Sequence, residues 1–293
     1  MKFKANGVEF DPGSLILTRK SNEKAFSDGH LQALLKNNNS EFVALKSGLV
    51  ESGPDLGANS VEIIKPPKVA MVLGQGITPT AAGDLWHFFD QQLNYPITLI
   101  DASYFSRVDL WQFNVVIFPS GTYSSIIKDH KEINRWVTDG GRLILLENAN
   151  AFFDGKEGIE LKSKSKNEAV KTDKVYNQRE RDSISDQVPG AIYKLKLDNT
   201  HPLAYGYNNE SFVLVKSLID KENLKNGWNV GALKEHISGF SGKNVKDKSL
   251  GNMVYGVQDM GSGKIIYLLE SPIFRGFWYE GKLLMANAAF MVR

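Results

Sequence analysis

Four short apolar runs in the middle of the chain constrain its fold more than any other feature. Val69–Leu73, Val115–Phe118 and Leu143–Leu146 are continuous, and Ile97–Ile100, broken by Thr98, reads as a further strand beside them. A strand of the continuous kind is buried on both faces, as in a parallel sheet covered by helices. The segments between them supply the helices. After Gly74-Gln75-Gly76, Thr78 stands as a cap with Pro79 at the first helical position, and Ala82, Leu85, Trp86, Phe89 and Leu93 follow at helical spacing. Ile126, Ile127, His130, Ile133 and Val137 mark one face of a second helix, stopped at Gly140-Gly141. Strand, helix, strand, strand, helix, strand predicts an α/β fold with a doubly wound, mainly parallel sheet.

Pro66-Pro67 separates this pattern from what precedes it. Residues 1–65 read as a small α/β connecting unit. Strands are expected at Val8–Phe10 and Ser14–Thr18 around the turn Asp11-Pro12-Gly13. A helix is expected over Phe26–Leu35, ended by Asn37–Asn39, and further strands at Glu41–Lys46 and Val61–Lys65. Residues 66–293 form the larger domain, with a polar insertion at about 155–190. Beyond it, Ala191–Leu197 alternates like a strand. Met253–Val257 and Lys264–Leu269 read as a hairpin turning at Gly261-Ser262-Gly263, and Leu283–Val292 as a closing helix.

Several function classes are disfavoured. With 35 basic and 33 acidic residues the net charge is +2, and no nucleic-acid motif is present, so no nucleic-acid partner is expected. The lysine-dense stretch Lys156–Lys174 also carries Glu157, Glu160, Glu168 and Asp173 and reads as a solvated surface. The absence of cysteine removes disulfides, thiolate zinc ligands and thiol nucleophiles together. No apolar run reaches membrane-span length, so no membrane partner is expected. The opening MKFKANGVEF lacks the apolar core of an export signal. The expectation is a cytoplasmic protein if the chain is complete, or an exported one if a signal lies upstream. None of the five histidines sits in an H-x-x-E or H-E-x-x-H pattern, and Gly74-Gln75-Gly76 lacks the third glycine of a dinucleotide loop, so neither metal nor cofactor is expected.

Ligands of doubly wound sheets bind beyond the carboxyl ends of the strands. Gln75, Ser120, Thr122, Glu147 and Asn148 occupy three such tips, and with His201 they are the candidate ligand pocket. A Ser120–His201 pair, or Glu147 as a base, is the catalytic alternative. Ser120 lies in Pro-Ser-Gly-Thr, which lacks the G-x-S-x-G elbow. Leu143–Leu146 running into Glu147-Asn148-Ala149-Asn150 resembles the strand-to-turn junction of class I glutamine amidotransferase-like domains, where the turn displays a cysteine nucleophile. The resemblance implies a flavodoxin-like fold. Asn148, or Glu147 in another register, takes the cysteine's place, and neither can form the thioester that chemistry needs.

A wider resemblance covers most of the chain. Lys68–Gly74, Gly83–Asp90, Leu93–Ile100, Gly140–Ile144, Arg179–Asp182, Pro189–Ile192, His201–Ala204 and Pro272–Arg275 resemble the C-terminal region of bacterial, Bacteroidetes-type zinc carboxypeptidase-like proteins. Ser47-Gly48 and Gly53–Gly57 resemble their connecting segment. The resemblance implies an accessory region without catalytic residues of its own. Its partner would be an upstream peptidase domain, the parent protein would be secreted or periplasmic, and the ligand would be a peptide or cell-wall component. A purely structural docking domain is the remaining alternative.

Overall fold

In the computed structural model, which describes residues 1–37, 41–164 and 179–293, the chain divides into two units, Met1–Lys65 and Pro66–Arg293. The first begins with a hairpin of β1 (Phe3–Ala5) and β2 (Val8–Phe10). Asn6 and Gly7 turn it with φ of 51° and 78°, the positive pair that a two-residue hairpin loop requires. The Phe3 and Phe10 rings stack across it at 4.8 Å. That upstream partner replaces the expected pairing of Val8–Phe10 with Ser14–Thr18, which is not a strand. The single expected helix is split into α1 (Glu23–Ser27) and α2 (His30–Asn37), because Gly29 adopts a φ of 72° between them. Glu41–Lys46 and Val61–Lys65 are irregular: among the described residues no strand pairs with them, and Ile63 is exposed. The expected turn at Asn37–Asn39 falls largely on residues outside those described.

The second unit runs β3 (Val69–Leu73), α3 (Pro79–Trp86) continuing into a wider π-turn, β4 (Thr98–Asp101), β5 (Val115–Phe118), α4 (Lys131–Thr138), β6 (Arg142–Leu146) and α5 (Ala149–Phe153). It continues with α6 (Arg179–Ser185), β7 (Gly190–Leu197), β8 (Glu210–Val215), β9 (Trp228–Phe240), α7 (Lys243–Ser249), β10 (Met253–Met260), β11 (Gly263–Leu268) and α8 (Lys282–Phe290). Helix α4 starts later than its apolar spacing predicts. Ile126 and Ile127 instead close a turn onto the Tyr123 carbonyl, and the Asp129 side chain accepts from Lys131 N. Within the expected insertion, Ile159 and Leu161 are buried against the core, whereas residues 165–178 and the side chains of Arg179, Glu180 and Asp182 lie outside those described.

The nine strands form one sheet in the order β4-β3-β5-β6-β11-β10-β9-β7-β8. From β4 to β11 every ladder is parallel; from β11 to β8 every ladder is antiparallel. The hairpin β10–β11 is the junction: it returns the chain so that β11 lies parallel to β6 while β10 opens the antiparallel half. β5, β6 and most of β3 and β11 are buried, as continuous apolar strands should be. Among the described residues no helix is long and apolar enough to cross a membrane.

Candidate functional site

The same three letters end two neighbouring strands. Leu145-Leu146-Glu147 closes β6 and Leu268-Leu269-Glu270 closes β11. The strands pair in parallel with Leu146 opposite Leu268, so both glutamates emerge at one carboxyl edge. Glu147 sits on the sharp turn between β6 and α5 with a φ of 47°, its N–H donating to the Leu268 carbonyl at 2.8 Å. Such a conformation costs an ordinary residue about 1–2 kcal/mol. Four non-glycine residues are described with positive φ; two are asparagines, which tolerate it, and the others are Glu147 and Arg275. These two converge. Arg275 N donates to Asp84 Oδ2 at 2.8 Å. Burial raises the Asp84 carboxyl above its ordinary range, and the Glu147 charge adds to that rise.

The chain leaving β8 roofs this edge. Asn252, just before β10, donates its side-chain amide to the Ile219 carbonyl at 2.7 Å, and Met253 N donates to Asn223 Oδ1 at 2.8 Å. β10 is antiparallel to β11, so its first residues lie at the end where β11 finishes. Lys164 N and Glu222 N clip the other side of the segment, donating to the carbonyls of Asp220 and Lys162. Lys216 is thereby placed between the two glutamates. Its ammonium contacts Glu147 Oε1, stands 3.8 Å from Glu270 Oε2 and lies 4.1 Å above the Phe274 ring. Glu270 Oε1 accepts from Lys216 N at 2.8 Å, Ser217 N at 3.2 Å and Ser217 Oγ at 3.3 Å. Glu270 is 1% exposed, and desolvation pushes its carboxyl up to about 7 despite those donors and the Lys216 charge. Nearby, Lys221 is held by Asp154 at 2.8 Å, Ser163 Oγ at 2.6 Å and Asp220 at 3.6 Å. Burial alone would raise Asp154, but its hydrogen bonds from Lys221 and Ser163 hold it below the usual range. A cavity of about 370 Å³ opens at this edge, and its lining includes Ser120, Glu147, Asn148, Asn150, Lys216 and Glu270. Among the described residues no group of three or more His, Cys, Asp or Glu is arranged to hold a metal ion.

Comparison with solved structures places this architecture. A candidate ThuA-like protein from Parabacteroides merdae overlays with a TM-score of 0.50 at 12% identity, over 76% of this chain and 89% of its own. The fold is flavodoxin-like, of the class I glutamine amidotransferase-like type. Two further structures are similar at lower scores. A candidate GMP synthase component from Thermoplasma acidophilum has a TM-score of 0.48 at 10% identity, over 76% of this chain and 92% of its own. PurLQS from Thermotoga maritima has a TM-score of 0.44 at 12% identity, over 76% and 98%. No family model matches the sequence, and no curated protein sequence matches it.

Within this amidotransferase-like fold, Glu147 is the residue on the strained turn after β6, and Asn148 is the next residue, leading into α5. Ser120, Glu147 and Asn148 are brought together at the cavity. Gln75 and Thr122 are not part of its lining. They are exposed on two loops laced to each other, with Thr122 N donating to the Gly76 carbonyl at 2.8 Å and Thr78 N to that of Ser120 at 2.9 Å. His201 is elsewhere. Its field comes from Asp198, Asp259 and Lys264, and Lys264 opens β11 where Glu270 follows its end. At about 3.3 Å per strand residue the two positions lie roughly 20 Å apart. Ser120 and His201 therefore do not meet, because they occupy opposite edges of the parallel strands. Of the aromatic residues suited to anchoring a ligand, Trp86 and Trp228 are exposed, Trp278 is half-buried, and Tyr123 is buried with its hydroxyl donating to the Pro119 carbonyl.

His201 has a structural task. Its Nδ1 accepts from Leu203 N at 3.1 Å, and its ring packs near Trp228. Burial lowers its pKa from 6.5 to about 4, so the unfolded chain takes up the proton first as pH falls. The stability this provides is complete above pH 6.5 and is lost towards pH 4. Asparagine can offer a similarly placed acceptor without a titration. His201→Asn is expected to remove about 2 kcal/mol of that acid-side loss, discounted for the ring's partial exposure. Urea unfolding at pH 4.5 and 7.5 measures it; equal acid sensitivity in both proteins would exclude the assignment.

Sequence reading alone did not reach Lys216, Ser217, Glu270, Asp84 or Asn150. One signal for Glu270 was present: an acidic residue ending a second continuous apolar run, in the same Leu-Leu-Glu triplet as Glu147. Lys216 carried none, since its place depends on the path of the chain after β8.

Proposed function

We propose that this domain is a non-catalytic binding domain, a pseudoenzyme of amidotransferase-like fold, whose ligand sits at the carboxyl edge between Glu147 and Glu270. The observation that carries this reading is the fate of the nucleophile position. Glu147 keeps the strained elbow conformation, but its carboxylate is paired with Lys216. A carboxylate tied to an ammonium is a poor nucleophile and a poor base, because leaving the pair costs its mutual attraction. The strained turn positions a charged group here, held by its ion pair with Lys216. The residue resemblances across the chain support a finer reading: an accessory region of a secreted or periplasmic zinc carboxypeptidase-like parent, packed beside an upstream peptidase domain and binding a peptide or cell-wall ligand.

Glutaminase, amidase and esterase assays of the chain test the first reading, with Glu147→Gln and Ser120→Ala as controls. No turnover above background is expected. Turnover that disappears in Glu147→Gln would overturn the non-catalytic reading. Zinc content and peptidase activity, measured on this chain and on a longer one that includes its upstream neighbour, test the second. Both are expected only in the longer chain.

A further inference from the structure

We propose that the cavity recognises a primary ammonium group; this rests on the binding reading above and names its ligand class. Three observations point the same way. First, acceptors outnumber available donors. Glu147 and Glu270 share one ammonium, and Lys216 spends its contact on Glu147, leaving Glu270 Oε2 at 3.8 Å, beyond hydrogen-bonding distance. Second, the other cation in the lining, Lys221, is occupied by Asp154, Ser163 and Asp220. Third, Asn150 is 1% exposed and lines the same cavity. Its amide nitrogen donates to the carbonyls of Leu145, Glu147 and Leu268, which turns Oδ1 away from them. Among the described residues that Oδ1 has no hydrogen-bond partner. A buried acceptor without a donor costs about 1–3 kcal/mol, which a bound donor would recover.

A primary ammonium fits this set. It brings three N–H donors and one positive charge to two carboxylates and an amide oxygen. An anionic ligand would meet Glu147 and Glu270 unfavourably, and a neutral one would leave the charge imbalance standing. The 370 Å³ of space accommodates a small body behind the ammonium.

The test uses three probes of one size at pH 7.5: butylammonium, butanol and butyrate, titrated into the intact chain with detection by calorimetry and amide chemical shifts. Saturable binding of butylammonium alone is expected, with perturbed shifts at Glu147, Asn150 and Glu270. Glu270→Gln, checked for an unchanged near-ultraviolet spectrum, is expected to weaken it at least tenfold. Trialanine competing for the site while its N-acetylated form does not would assign the ammonium to a peptide amino terminus. Butylammonium resisting competition would assign it to a small amine. Butanol, butyrate or acetylated trialanine binding as well as the ammonium probe would overturn the inference and leave the binding site standing. Absence of binding by every probe would remove both.

Discussion

Replacing Glu270 by glutamine is expected to raise the unfolding free energy by about 2–3 kcal/mol at pH 8 and to change it little at pH 4.5. The physical basis is the cost of holding a carboxylate where solvent is excluded. Glu270 is 1% exposed, and burial lifts its pKa from 4.5 to about 7. Between those values the folded protein binds a proton that the unfolded chain does not. Stability therefore falls as pH rises from 4.5 through 7, and the full penalty is present above 7. Glutamine keeps an oxygen for Lys216 N and Ser217 N but carries no charge to desolvate. The wild-type curve should decline across that window relative to the variant. Paired urea titrations at pH 4.5, 6 and 8 measure the difference. A constant offset across pH would mean that Glu270 does not titrate there.

Glu270 carries this penalty in a region that holds other strained groups as well. A hydrophobic residue in the place of Glu270 would avoid the desolvation penalty but leave Lys216 N and Ser217 N without their acceptor, and the turns at Glu147 and Arg275 are strained as well. Strain and buried charge persist where the surrounding structure enforces them, and two elements enforce them here: the paired ends of β6 and β11, and the segment after β8.

The contrast between what the sequence disclosed and what it hid follows from the same geometry. Val69–Leu73, Val115–Phe118 and Leu143–Leu146 were legible because burial on both faces demands unbroken apolar residues, which is a local property. Glu147 and Ser120 were legible for the same reason, since they end such runs. Strand β9 was not, because its outer half alternates irregularly and two register shifts against β7 break the period. Val61–Lys65 looked like a strand by composition, yet among the described residues no strand pairs with it and it stays irregular. Lys216 was hidden most completely. β8 lies at the far end of the sheet order from β4, and only the return of the chain across the carboxyl edge brings the lysine to Glu147.

Lys216→Met should be the more damaging change, about 4 kcal/mol at pH 8, because it leaves two carboxylates without their shared cation. The ammonium touches Glu147 and stands 3.8 Å from Glu270, and side-chain exposures of 23%, 17% and 2% place the group largely out of water. A charge pair at about 4 Å gains at most roughly 4 kcal/mol at an effective dielectric constant near 20, and desolvation of the ammonium offsets about half of that for the second contact. Removing it drives the Glu270 pKa further up, so the variant recovers part of its stability by taking up a proton. At pH 5.5 the expected loss therefore shrinks to about 2 kcal/mol, the share belonging to Glu147 and to the contact with Phe274. The double variant Lys216→Met, Glu270→Gln separates the two contributions. If the lysine neutralises Glu270, the double variant is more stable at pH 8 than the sum of the single changes predicts, by about 2 kcal/mol, and the surplus vanishes at pH 5.5. Additive losses at both pH values would mean that Lys216 serves Glu147 alone, and that Glu270 stands without a counter-ion.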